Sequence, residues 1–160
     1  MTSASGVEGR SAARARIRAV KVTMMLADSA QAVEGKLYIL GGGWSMTGPE
    51  PSPSAIAVYI QVPWDRTNVE HRFRFELIDS DGQPVEAETA EGVEEPVTIE
   101  GSFEVGRPVG VRPGTPIDVP LAINIAPMPL PPGGRFEWRL EIDGETSDEW
   151  RLAFSTRPAG

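Results

Sequence analysis

Few residue types in this sequence could carry out nucleophilic chemistry. The only histidine is His71, and there is no cysteine. A Ser-His-Asp triad would have to use His71, yet the chain contains no G-x-S-x-G motif to present a serine. Because His71 begins a strand-like segment, we expect it to be exposed. A zinc site would need carboxylates almost alone, so we predict no metal, no cofactor and no catalytic residue.

Carboxylates are the abundant reactive group. With 23 Asp and Glu residues, pairs suited to glycoside hydrolysis will arise by chance, and none has a distinctive neighbour. A carboxylate-based hydrolase is therefore only our second alternative function. Asp79-x-Asp81-Gly82 resembles the start of a calcium loop but lacks the later ligands, so the alternatives are a loop-edge calcium site and a plain hairpin turn.

Three aromatic residues form our candidate interaction surface. Trp44 follows a glycine run, Tyr59 lies in an apolar segment, and Trp64 follows a proline at a predicted strand end. Flat aromatic faces stack on sugars, so the first alternative function is a small-molecule or carbohydrate-binding domain with a concave face near these residues. Trp138 and Trp150 are in phase with apolar neighbours, and we assign both to the core.

The run Gly41-Gly42-Gly43 has the composition of a phosphate loop. Gly41 and Gly43 have the spacing of the dinucleotide fingerprint, but Met46 replaces its third glycine, and prolines at 49, 51 and 53 exclude the helix that should follow. Consecutive glycines in a strand pattern predict instead a bulge or a place where the backbone passes close to another element. We expect Trp44 to resume the strand and to cover the gap.

The elements that position these residues are strands. Apolar or alternating segments follow one another between glycine-rich and proline-rich turns, and no segment of ten or more residues keeps a helical period. The pattern predicts an all-β fold, an antiparallel β-sandwich of immunoglobulin-like type with eight or nine strands, and a small β-barrel is the alternative. The predicted strands are 20–26, 36–40, 55–62, 71–78, 97–105, 117–125, 135–142 and one around 150–154.

Charge divides the chain into an arm and a body. We predict a flexible basic arm over 1–19, a β-sandwich domain over 20–157 and a tail over 158–160. The net charge is −8, and the arm is basic because it contains Arg10, Arg14, Arg16 and Arg18. An acidic body repels phosphate backbones, so we expect no nucleic-acid binding by the domain and leave that role to the arm alone.

The N-terminal region has some features of a targeting signal. Its apolar stretch is interrupted by Lys21 and Thr23 and ended by Asp28, so it is short for a signal core. No window approaches the roughly 18 apolar residues of a membrane span. We expect a soluble cytoplasmic protein without a membrane partner, and an exported protein is the alternative if this segment is a signal peptide.

Short motifs at both ends of the chain carry a family resemblance. They are LADSA at 26–30, EGKL and ILGGGW within 34–44, LPPG at 130–133, WRL at 138–140 and IDG at 142–144. Together they resemble a family of uncharacterised bacterial proteins, a domain of unknown function, over about residues 20–156. The resemblance implies bacterial origin and a small β domain, and it supplies no activity or ligand. Our preferred function is a non-catalytic interaction or accessory module that binds a protein partner through a sheet edge or end loops.

Overall fold

The computed structural model describes residues 20–160, and in that range the chain forms eleven strands and no α-helix. The predicted basic arm over 1–19, with its four arginines, lies outside the described residues. A single 3-10 turn spans Trp64–Arg66. The strands are β1 Lys21–Val33, β2 Lys36–Gly42, β3 Met46–Thr47, β4 Ser54–Val62, β5 Glu70–Asp79, β6 Glu86–Glu88, β7 Glu94–Pro96, β8 Thr98–Glu104, β9 Ile117–Ile125, β10 Arg135–Ile142 and β11 Glu145–Thr156.

Nine of the strands form two curled sheets. One sheet has the order β2-β1-β4-β9, and the other has the order β3-β11-β10-β5-β8. Neighbours are antiparallel except for the short β3, which runs parallel to β11. The remaining two strands, β6 and β7, pair with each other as a small hairpin. The prediction of an all-β architecture is therefore confirmed.

The predicted number of strands, eight or nine, was too low. Eight of the eleven observed strands coincide with the eight predicted segments. The other three are β3, β6 and β7, which contain only two or three residues each. So short a strand shows no alternation in the sequence, and β7 even contains a proline. Their pairing depends on neighbours that only the folded chain supplies.

The core lies between the two sheets. Ile56, Val58, Ile60 and Val62 on β4 are completely buried, and Trp138 on β10 packs from the opposite sheet. The Trp138 indole meets the Phe75 ring edge to face, with ring centroids 6.5 Å apart. Trp138 and Trp150 are both buried, which confirms their assignment to the core.

The hairpin formed by β1 and β2 folds over the outer face of the first sheet. β1 pairs with β4 up to Ala27 and with β2 beyond it. A cluster of small side chains, Ala27, Ala30, Ala55 and Ala57, is buried beneath the far part of the hairpin. Small side chains let the two layers of backbone approach closely. As a result, the first half of β4 is buried on both of its faces, whereas Tyr59 and Gln61 farther along the outer face are partly exposed.

The Asn124 side chain fastens this hairpin to β9. The Ala30 N–H donates to Asn124 Oδ1 at 3.2 Å, and Asn124 Nδ2 donates to the Ala30 carbonyl at 2.9 Å. The side-chain amide thus supplies the two hydrogen bonds that a neighbouring strand would otherwise make with Ala30. Since Ala30 is buried, its N–H and C=O groups require such partners.

Substitution of Asn124 by Leu tests this contact. Leu has a similar size but leaves the Ala30 N–H and C=O unpaired, so we expect the free energy of unfolding to fall by about 1–3 kcal/mol. Urea unfolding followed by tryptophan fluorescence measures the loss. Asn124→Asp keeps the acceptor and loses the donor, and it should lie between wild type and Asn124→Leu. Wild-type stability in Asn124→Leu would contradict the assignment.

Candidate functional site

The glycine run 41–43 begins the crossing of the chain from one sheet to the other. Gly42 ends β2 opposite Ala27, and the Gly43 N–H donates to the Leu26 carbonyl at 2.7 Å. Two residues later, the Ser45 carbonyl accepts from the Ser155 N–H of the second sheet at 2.9 Å. The expectation that Trp44 resumes the strand was wrong, because Trp44 lies in the crossing between β2 and β3.

At Gly41 and Gly42 the backbone passes close to side chains of neighbouring residues, as the glycine run predicts. Gly41 has φ +60° and lies directly against the Asp28 carboxylate, where an added Cβ would clash. A Cβ on Gly42 would lie 2.6 Å from Ile39 Cγ2. A side chain at either position would clash with a neighbouring side chain. Steric requirements therefore account for these two glycines without a bound phosphate.

The Trp44 side chain packs against the hydrophobic core between the two sheets. Its ring is half-buried and meets Phe154 edge to face at 6.3 Å. Together with Leu26 and Trp138 it lines a cavity of about 40 Å³, which is room for a group the size of a solvent molecule. The buried indole nitrogen has no hydrogen-bond acceptor within the described part of the chain. This cavity is too small for a sugar ring.

Trp64 is held in place by Arg107. The Arg107 guanidinium lies over the indole, 4.0 Å from the ring centroid. It also donates to the Trp64 carbonyl at 2.7 Å and to Thr67 Oγ1 at 2.8 Å. One face of the Trp64 ring is thus already covered by a cation.

The structure does not bring Trp44, Tyr59 and Trp64 together in one concave face. Trp44 shares its cavity with Ser54 at the start of β4, whereas Trp64 follows the end of that strand. The length of β4, roughly 26 Å at about 3.3 Å per residue, separates the two ends. Tyr59 lies between them on the strand, and a side-chain hydrogen bond with Asp118 raises the pKa of its hydroxyl.

His71 is buried, at 4% exposure, so the expectation that it is exposed was wrong. Its Nδ1 lies 2.6 Å from Asp143 Oδ2, and its Nε2 lies 2.8 Å from the Arg66 carbonyl. Each ring nitrogen therefore has a hydrogen-bond partner, one a carboxylate and the other a backbone carbonyl. With both nitrogens engaged, His71 has no free atom with which to activate a nucleophile.

Asp143 is the charged partner in this contact. Burial of the carboxyl group opposes its ionisation, but hydrogen bonds from His71 and from the Arg72 N–H outweigh burial and lower the pKa of Asp143. The contact joins the start of β5 to the turn between β10 and β11.

The carboxylates elsewhere show no assembled site. Among residues 20–160, no group of three or more His, Asp or Glu side chains is placed to hold a metal ion. Asp79 Oδ1 accepts from the N–H groups of Asp81 and Gln83, each at 2.9 Å, and Gly82 has φ +78°. These features define a hairpin turn whose first aspartate is occupied by backbone contacts.

Among the described residues, exposed large apolar side chains cluster on β2 and at the end of β1. We call the side chains of Val33, Tyr38, Ile39 and Leu40 the hairpin patch; Tyr38 is 55% and Leu40 70% exposed. β2 has β1 on one side and no other described strand on its second side. Large exposed side chains on an edge strand are typical of surfaces that contact another chain.

The outer edge of β2 offers hydrogen-bonding groups as well. Glu34 and Gly35 have φ values of +50° and +75°, so they form the two-residue turn that closes the pair Val33 and Lys36. In an antiparallel hairpin closed in this way, alternate residues point their N–H and C=O groups away from the partner strand. In β2 these outward residues are Leu37 and Ile39.

The other outer strands are less suited to pairing. β9 contains Pro120, which cannot donate to a neighbouring strand. β8 carries Glu100 and Glu104, and β3 has only two residues. Among the outer strands of the described sheets, β2 is thus the one with a regular, apolar and uninterrupted edge. This edge was not predicted from the sequence, because the four apolar residues in a row at 37–40 indicate that both faces of the strand are apolar but not that the strand lies at an edge.

These features define a small all-β protein of two packed sheets with an exposed apolar edge. The chain belongs to a family of unknown function, DUF6941, whose model matches residues 22–155. The predicted family resemblance is thereby confirmed, and the matched region includes both the hairpin patch and the glycine run. No curated protein matches the sequence. Within residues 20–160, no helix is long and apolar enough to cross a membrane.

Gly41 provides a test of the crossing. Gly41→Ala places a Cβ against Asp28 at a positive φ, so we expect the free energy of unfolding to fall by about 1–2 kcal/mol. Gly48→Ala is the matched control, because Gly48 has no positive φ and a Cβ added there would have no heavy atom within 4 Å. Chemical denaturation of both variants compares the losses, and equal losses would refute the steric argument.

The lowered pKa of Asp143 predicts a dependence of stability on pH. The ionised carboxylate stabilises the fold above its ordinary pKa of 3.8, and this contribution is lost as the pH falls through the lower folded value. Wild type should exceed Asp143→Asn in stability at neutral pH by a margin that shrinks below about pH 4. Asp148→Asn, at a fully solvated position, is the control. A margin that stays constant with pH would contradict this role.

Proposed function

We propose that this protein is a non-catalytic interaction module that binds a protein partner along the outer edge of β2. The observation that carries the proposal is the hairpin patch, in which apolar side chains lie beside a strand edge with no neighbour among the described residues. A bound strand would obtain main-chain hydrogen bonds from Leu37 and Ile39 and apolar contacts from Tyr38 and Leu40.

The way in which the hairpin is attached to the sheet supports this role. Asn124 and the alanine cluster hold the hairpin against the sheet, so the edge is presented by an ordered element. Binding to an ordered edge loses little conformational entropy on the side of this protein. An immunoglobulin-like sandwich is the scaffold we propose for it, in keeping with the antiparallel pairing in both sheets and the tryptophan buried between them.

The alternative functions have less support. A sugar-binding face would need Trp44, Tyr59 and Trp64 side by side, and β4 separates the first from the last. A hydrolase would need a paired acid and base in a cleft, whereas His71 and Asp143 engage each other and the backbone. These residues fit a structural role at the ends of strands.

Site-specific photo-crosslinking tests the proposal. Tyr38 is replaced by benzoylphenylalanine, an aromatic residue of similar shape, in cells that naturally make the protein. We expect irradiation to give a covalent adduct with a protein chain, because Tyr38 would lie inside the interface. The same replacement at Val93, which is 52% exposed on the small hairpin, is the matched control and should give none.

Two outcomes would refute the interaction role. One is the absence of any adduct from position 38, and the other is an equal adduct from position 93. Leu40→Lys combined with the crosslinker at position 38 should abolish the adduct, since an added positive charge in the patch would be desolvated on binding.

A further inference from the structure

We infer that the partner of β2 is a second copy of this protein. The two β2 strands would pair antiparallel across a two-fold axis that passes between the two Tyr38 residues. This inference rests on the proposed function, because it names the partner of the same edge. It would join the two four-stranded sheets into one continuous sheet of eight strands, with each copy contributing the same surface.

The spacing of outward groups suits this register. With Tyr38 opposite Tyr38 of the second copy, Leu37 lies opposite Ile39, and these are the residues whose N–H and C=O groups point away from β1. Each Leu37 and Ile39 pair can exchange two hydrogen bonds. The paired segment, Lys36–Leu40, ends before Gly41, whose φ of +60° departs from extended backbone.

Side chains in this register are complementary as well. Tyr38 would face its own copy in a pair without direct main-chain hydrogen bonds, where cross-strand side chains are closest. An aromatic pair at such a position is favourable. Leu40 would lie opposite the aliphatic stem of Lys36, which can cover apolar surface while its ammonium group stays in water.

Charge favours self-pairing at this edge over the others. The body of the protein is acidic, yet residues 35–43 contain Lys36 and no carboxylate. Self-pairing along β8 would bring Glu100 and Glu104 of both copies together, and Pro120 interrupts β9. Two acidic bodies therefore meet with least repulsion along β2.

The size of the patch limits the strength of the contact. Four apolar side chains from each copy form a small interface, in the class that buries less than about 1,200 Å² in total and is weak or transient. We therefore expect a dimer that forms with rising protein concentration and dissociates on dilution.

Sedimentation velocity over a concentration series tests for the dimer. For the full chain of 17.2 kDa we expect the weight-average mass to rise toward twice that value. Tyr38→Asp should remain monomeric at every concentration, because it would place two carboxylates directly opposite each other at the two-fold axis, and Val93→Asp should behave as wild type. A wild-type chain that stays monomeric throughout would overturn the inference.

A single introduced cysteine tests the register. The chain contains no cysteine of its own, so Tyr38→Cys can form only a symmetric disulfide. Under mild oxidation we expect Tyr38→Cys to form disulfide-linked dimer at least roughly tenfold faster than Val93→Cys, because only position 38 lies opposite itself within disulfide reach. Equal rates would contradict the two-fold pairing at Tyr38.

The crosslinking experiment separates this inference from the proposed function. An adduct of twice the monomer mass from position 38 supports both. An adduct with a different protein, from a chain that stays monomeric in sedimentation, overturns the second copy and leaves the interaction role intact. The absence of any adduct overturns both the second copy and the interaction role.

Discussion

The burial of the first half of β4 on both faces is the constraint on which the rest of the structure depends. Its inner face, with Ile56 and Val58, forms the core against the second sheet, and its outer face carries Ala55 and Ala57. Alanines on an outer face must be covered by something that fits closely, and the hairpin of β1 and β2 does so. That covering forces β2 to the rim of the sheet, where its own apolar side chains have no described cover.

Several polar side chains fix the ends of strands. His71 and Asp143 join β5 to the turn before β11, and Arg107 holds the 3-10 turn through Trp64 and Thr67. Each of these groups has its hydrogen-bonding capacity directed at the backbone or at another fixed side chain. Rigid ends of this kind suit a protein that presents a surface, since they keep the sheets in register without a ligand.

Much of the fold could be predicted from the sequence, but little of the candidate site could. Apolar or alternating segments, such as Phe136 to Ile142, predicted part or all of each of the eight long strands and the buried Trp138, because burial of a sheet face leaves a local pattern of apolar residues. Burial of His71 depends on Asp143, which is 72 positions away, and the fastening of Ala30 depends on Asn124, 94 positions away. Whether β2 is central or at an edge depends on the pairing of whole strands, so no local pattern could identify the hairpin patch.

The crossing through the glycine run has a consequence for biosynthesis. Met46 and Thr47 pair with Ser155 and Thr156 of β11, which emerge from the ribosome more than a hundred residues later. Since the N-terminal part of a chain appears first, β3 waits for its partner until nearly all the domain has been made.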